Sequence, residues 1–242
     1  MIREFHSAAR AGFAIAALFG LLVLTPGRAG ADVIFDVSLD TSSLVANPAQ
    51  GPYTLDFTLI GAQGNIVTIS DIQFGAGGSA GSPSAATGGA SGDLASGVVL
   101  ESSSAFFSDF FQVFTPGDRL TFRVTATTVF DGVYSPDNFS VSILTGDGLS
   151  FPTTDALGSA LMSVDLTEAA ADSVQTFGAD TSQTFADGSP VFAFGPATVT
   201  AIPEPSSLAL LLVGLGAIGA LGRHRAGAPA GDLQSPYCFR LR

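Results

Sequence analysis

The sequence predicts an all-β fold, an antiparallel β-sandwich of jelly-roll-like or immunoglobulin-like design, flanked by an N-terminal signal peptide and one C-terminal transmembrane helix. Three observations carry that expectation. Apolar and polar residues alternate with a period of two in short runs across residues 32–201, as in strands with one buried face. The runs are separated by Gly, Pro, Asn and Asp clusters that favour turns. Two uncharged apolar runs, 11–24 and 208–221, stand outside the alternating region.

Residues 1–31 read as a signal peptide. Arg3 and Arg10 precede the apolar run 11–24, and Thr25-Pro26-Gly27 breaks it. Ala29 and Ala31 give the small-x-small pattern of a signal peptidase site, so the mature chain should begin at Asp32. Signal peptidase and the secretion machinery are the implied partners.

The 170 residues of 32–201 are enough for one domain with its own core. Val33, Phe35, Val37 and Leu39 alternate with polar neighbours, and Tyr53, Leu55, Phe57 and Leu59 repeat the pattern. Further strands are expected at 65–74, 97–101, 106–114, 119–130, 138–145, 161–167, 173–177 and 190–200. A short helix fits only 154–162 or 166–174. The tract 75–92 is nearly all Gly, Ala, Ser and Thr with Pro83 inside it. It has no apolar face to bury and reads as a long mobile loop.

Charge excludes one class of partner. The domain has two basic residues, Arg119 and Arg123, against 18 acidic ones, a net charge of −16, and the whole chain has no lysine. Nucleic acid needs a basic surface that releases counterions, and none is present. The single cysteine, Cys238, lies outside the domain, so no disulfide staples it.

The search for chemistry yields little. The two histidines are His6 and His224, both outside 32–201. The domain therefore lacks the residues of a Ser-His-Asp or Cys-His centre and of the usual zinc or copper set, and no enzyme is expected. Carboxylates remain, with Glu101 and Glu168 as the domain's only glutamates, and a carboxylate-based glycoside-active enzyme, which needs two carboxylates flanking the scissile bond, is the least favoured alternative. Asp131, Asp137 and Asp147 sit in turns where oxygens could converge on calcium, although solvated turn aspartates are the plainer account. Glycan binding is the alternative to a purely structural role. Sugar platforms favour Trp and Tyr, yet the chain has no Trp and the domain's only tyrosines are Tyr53 and Tyr134. Phe106, Phe107, Phe110, Phe111 and Phe114 cluster as core residues do.

The C-terminal segment has three parts in order: Pro203-Glu204-Pro205, the apolar run 208–221, and a basic cluster with Arg223 and Arg225. The prolines should hold the first part extended. The run makes about 21 Å of helix, close to bilayer length when the flanks are included. The arginines fit a cytoplasmic end. Segment 202–225 resembles the PEP-CTERM sorting signal of Gram-negative bacteria, read by the membrane protease-transpeptidase exosortase. That resemblance implies export, an inner-membrane intermediate, and processing near Pro203–Pro205. It further implies a final place at the cell surface or in the extracellular matrix, in association with exopolysaccharide and biofilm. Residues 226–242 form a tail that such signals usually lack. The domain also resembles a group of uncharacterised PEP-CTERM proteins through the segment Val37–Leu44 and the turn Phe114-Thr115-Pro116-Gly117; that group has no assigned activity.

Overall fold

The computed structural model describes residues 32–202, apart from Glu168, together with residues 214 and 215. The chain divides into two units, 1–202 and 203–242. The signal peptide, the Pro-Glu-Pro segment, the basic cluster and the tail lie outside the described residues. The apolar run 208–221 does too, save for Gly214 and Leu215, which are helical. Among the described residues no helix is long and apolar enough to cross a membrane.

The first unit is an all-β sandwich of two six-stranded antiparallel sheets. In chain order the strands are β1 (Asp32–Asp40), β2 (Tyr53–Ile60), β3 (Ile66–Gln73), β4 (Ser79–Thr87), β5 (Ser91–Asp93) and β6 (Gly97–Glu101). There follow β7 (Phe107–Thr115), β8 (Arg119–Thr127), β9 (Asp137–Leu144), β10 (Met162–Leu166), β11 (Gln175–Thr176) and β12 (Thr198–Ile202). Two short helices, α1 (Ser42–Ala46) and α2 (Ala170–Ser173), lie between strands. The second falls inside the expected 166–174 window; 154–162 is irregular.

One sheet has the order β12-β1-β8-β3-β6-β5 and the other β11-β10-β9-β2-β7-β4. The pairings β1·β8, β2·β7 and β3·β6 are nested, as if a long hairpin had been folded over twice. This nesting is jelly-roll topology and selects that alternative over the immunoglobulin-like one. Strands β9 to β11 widen one sheet beyond β2, and β12 widens the other beyond β1.

Alternation fixes which face is buried. Phe35, Val37 and Leu39 of β1 point inward with Leu120, Phe122, Val124 and Ala126 of β8. Facing them are Leu55, Phe57 and Leu59 of β2 and Phe139, Val141 and Ile143 of β9. Phe57 stands at the centre. It stacks on Phe110 at 6.4 Å and Phe139 at 6.5 Å, and meets Phe122 of the opposite sheet edge-on at 5.7 Å. A second aromatic group, Phe151 with Phe185, Phe192 and Phe194, ties down the irregular segment before β12. Pro190 and Pro196 remove backbone donors there, so the strand expected over 190–200 forms only from Thr198.

The tract 75–92 departs from expectation. Instead of a mobile loop it contains β4, an edge strand paired with β7 from Ser79↔Thr115 to Thr87↔Asp109, and β5, paired with β6. Strand pairing is made by the backbone and needs no apolar face, so a stretch of small residues can pair while remaining largely exposed. Pro83 sits where the register shifts, between Ala80 and Ser84. Such an irregular edge is where a missing N–H is tolerated.

Candidate functional site

Strand direction places three connections at one end of the sandwich. Ile60 at the end of β2 leads through 61–65 to β3; Glu101 at the end of β6 leads through 102–106 to β7; Thr127 at the end of β8 leads through 128–136 to β9. The first strand begins and the last ends there as well: Asp32 pairs with Thr127, and Ile34 with Ile202.

Two buried polar residues tie these loops together. Asn65 donates from its side-chain amide to the Val129 carbonyl at 2.9 Å and to Asp137 Oδ2 at 3.0 Å. Its Oδ1 accepts from the Val129 amide at 2.7 Å and the Thr127 hydroxyl at 3.0 Å. Asp137 is fully buried and accepts from the Gln63 amide at 2.9 Å, from Asn65 and from the Ser102 hydroxyl. Gly61 has φ +149°, and a Cβ there would collide with the Asp137 carboxylate; the close approach requires glycine. Among the described residues no buried side-chain nitrogen or oxygen lacks a partner.

Joined to this network through Gly61 and Gln63 is a cleft of about 930 Å³. Ile60, Phe106, Tyr134 and Pro136 give it apolar walls, and Gln63, Asp131, Asn138 and Asp165 supply polar groups. Asp131 Oδ1 accepts from the Val133 amide at 2.9 Å, from the Tyr134 amide at 3.4 Å and from Gln63 Nε2 at 3.3 Å. These bonds, the Val133 amide foremost, hold its carboxyl below the usual range. Asn138 Nδ2 donates to Asp165 Oδ1 at 2.9 Å and to the Ser163 hydroxyl at 3.0 Å. A smaller hollow of about 390 Å³ near the opposite end is walled mainly by apolar residues, including Leu44, Pro48, Tyr53 and Phe114.

The cleft revises the reading of the aromatics. Phe110 and Phe114 are buried as expected, but Phe106 is 67% and Phe107 47% exposed, and Phe111 is half-buried. The β6–β7 connection carries Phe106 outside the alternating register, so clustering in sequence does not become burial. Of the two candidate tyrosines, Tyr53 is in the core, where burial pushes its hydroxyl up to about 12. Tyr134 is 74% exposed at the cleft. The three turn aspartates do not converge. Asp131 and Asp137 are linked through Gln63, whereas Asp147 lies beyond the far end of β9, accepting from Thr145 and Leu149. Among the described residues no group of three or more His, Cys, Asp or Glu side chains is placed to hold a metal ion.

One carboxyl pair escaped the sequence reading. Asp56 and Asp109, on neighbouring strands β2 and β7, share the Thr58 hydroxyl at 3.1 Å from each. Burial, with hydrogen bonding and charge from Asp109, pushes Asp56 up to about 8. Alternation in β2 marked Asp56 as solvent-facing, and nothing in the sequence aligned it with Asp109.

The first unit ends at Ile202, in register with Ile34, and Pro203-Glu204-Pro205 follows with no intervening spacer. A family model described as the PEP-CTERM protein-sorting motif matches residues 201–226. The chain carries a PEP-CTERM sorting motif. That motif marks an exported protein directed to the cell surface, with exosortase as its processing partner. The match begins on the last two residues of β12, so sandwich and sorting motif overlap at Ala201 and Ile202. No curated protein matches the chain at a significant level, and no solved structure does.

Proposed function

We propose that the sandwich is a non-catalytic structural component of the cell surface or extracellular matrix of a Gram-negative bacterium, associated with exopolysaccharide and biofilm. Signal peptidase acts after Ala31, the apolar run 208–221 with Arg223 and Arg225 holds an inner-membrane intermediate, and exosortase processes the chain at Pro203–Pro205. The observation that carries this reading is the position of the matched motif, whose Pro-Glu-Pro segment directly follows the strand that completes the first sheet. Processing at that point would leave every strand of the sandwich intact.

Replacing Pro203, Glu204 and Pro205 together with alanine tests the sorting step in a host that has exosortase. The variant should stay in the inner membrane, shortened only by its signal peptide, whereas deletion of 208–242 should release a soluble domain. Processing of the alanine variant like the parent would reduce the segment to a linker and overturn the proposal.

A second reading, a glycan-binding module, is favoured by the cleft. It presents two exposed aromatic rings beside carboxylate and amide groups. Calcium would assist such binding only through further oxygen ligands, since Asp131, Asp137 and Asp147 do not meet.

A further inference from the structure

We propose that the cleft at the end of the sandwich where the first strand begins and the last ends is a binding site for a neutral saccharide, with Phe106 and Tyr134 as stacking faces and Gln63, Asp131, Asn138 and Asp165 as hydroxyl partners. This rests on the glycan-binding reading and gives it a place and a ligand class.

The aromatic rings come first. Most ring pairs in the described structure lie in the core or in the group around Phe151. Phe106 and Tyr134 stand apart, 67% and 74% exposed, and both line the cleft. They belong to a wider pattern. Ile60, Ile66, Phe107, Val129 and Val133 are exposed at this same end, a concentration of apolar surface not repeated elsewhere among the described residues. Large exposed apolar groups gathered at one place mark an interaction surface.

The polar groups narrow the ligand. A lipid or an apolar peptide segment would need a continuous apolar floor, and here amide and carboxylate oxygens interrupt it. Each is held in place. Asp131 is fixed by two backbone N–H groups and Gln63 Nε2, and Asp165 by the Asn138 amide. Their remaining lone pairs can accept from ligand hydroxyls. The buried Asn65–Asp137–Ser102 network, bonded to the cleft residue Gln63, keeps the loops in register, so little ordering cost remains at binding.

Charge excludes anions. The domain's two arginines lie elsewhere: Arg119 pairs opposite Asp40 at the far end of β1, and Arg123 binds Asp36 and Asp71 on the outer side of its sheet. A phosphate, a nucleotide or a uronate would meet carboxylates with no cation to offset them. A neutral sugar presents both what the rings stack on, an apolar ring face, and what the carboxylates and amides accept, a set of hydroxyl donors. The cleft volume of about 930 Å³ lies within the usual range of small-ligand sites, ~300–1,000 Å³.

Affinity electrophoresis of the full chain in mild detergent tests the site. The neutral probes are dextran, hydroxyethyl cellulose and galactomannan, alginate is the anionic probe, and tetralysine serves as a soluble cationic competitor. At least one neutral polymer should retard the parent, alginate should not, and tetralysine should not compete. Tyr134→Ala and Phe106→Ala should each weaken retardation about tenfold. Tyr134→Phe, which keeps the ring, should stay within about twofold, and Leu149→Ala, at the far end, should match the parent. Thermal unfolding midpoints equal to the parent's confirm that the variants fold. If the parent is retarded but both alanine variants behave like it, the cleft assignment is overturned while glycan binding survives. If no neutral polymer retards the parent, both fall. Stronger retardation by alginate, or displacement by tetralysine, overturns the neutral-ligand assignment.

Discussion

Asp137 and Asn65 show how one buried carboxylate can organise three loops. Every oxygen and nitrogen they bring into the interior is matched, by Gln63, Ser102, Thr127 or Val129. Removing one partner leaves the others buried and unpaired, which costs more than the bond itself contributed. Asp137→Ala should lower unfolding free energy by ~2–4 kcal/mol in urea titration. Asp131→Ala, at an exposed turn, should stay within ~0.5–1 kcal/mol; equal effects would show that the network is not a fastening. Asp137 was legible in the sequence as a turn aspartate. Its burial was not, because Asn65 and Ser102 are 72 and 35 residues away along the chain. Asp56 gives the molecule a pH signature. Its folded value of about 8 lies above an unfolded value near 3.8, so the folded state holds a proton that the unfolded state releases. That contribution is full below about pH 4, declines as pH rises and is gone above about 8. Asp56→Asn should flatten this slope and raise the thermal midpoint at pH 8 by roughly 5 °C. Parallel pH profiles for parent and variant would contradict the raised Asp56 carboxyl.

Among the elements, legibility follows the presence of a buried face. The second, third, sixth, eighth and ninth strands alternate, and the sequence places each within three residues of its observed ends. The fourth strand has no such face, and its pairing with β7 rests on backbone bonds that composition does not reveal. The strand before the sorting motif is misjudged for another reason. Phe192 and Phe194 alternate like strand residues, but they fill the aromatic group around Phe151 instead. What remains as strand, β12, covers the outer edge of β1 through five residue pairs from Ser38↔Thr198 to Ile34↔Ile202. A chain ended at Ala197 would expose that edge, and unpaired edges invite association. Compared with a chain ended at Ile202, it should unfold at lower temperature and form larger species in light scattering. Indistinguishable behaviour would mean that β12 is not part of the stable sheet.

For the whole molecule, nested pairing gathers the functional features at one end. The loops that build the cleft, the start of β1 after the expected signal peptidase site, and the end of β12 before Pro203 all lie there. Sequence patterning established the sandwich class and the sorting motif, because both are local signals: alternation in one case, three ordered parts in the other. It did not establish the jelly-roll order or the cleft, because both depend on which distant strands become neighbours. The central claim, an exported sandwich cut at the Pro-Glu-Pro segment by exosortase, is tested most directly by the termini of the surface-exposed protein. Intact mass spectrometry should be run on protein from otherwise identical cells with and without exosortase. With the enzyme, the chain should begin at Asp32 and end within a few residues of Pro203–Pro205; without it, the same N-terminus should be joined to a chain that retains residues beyond Arg225. An identical C-terminus in both cells would contradict the account.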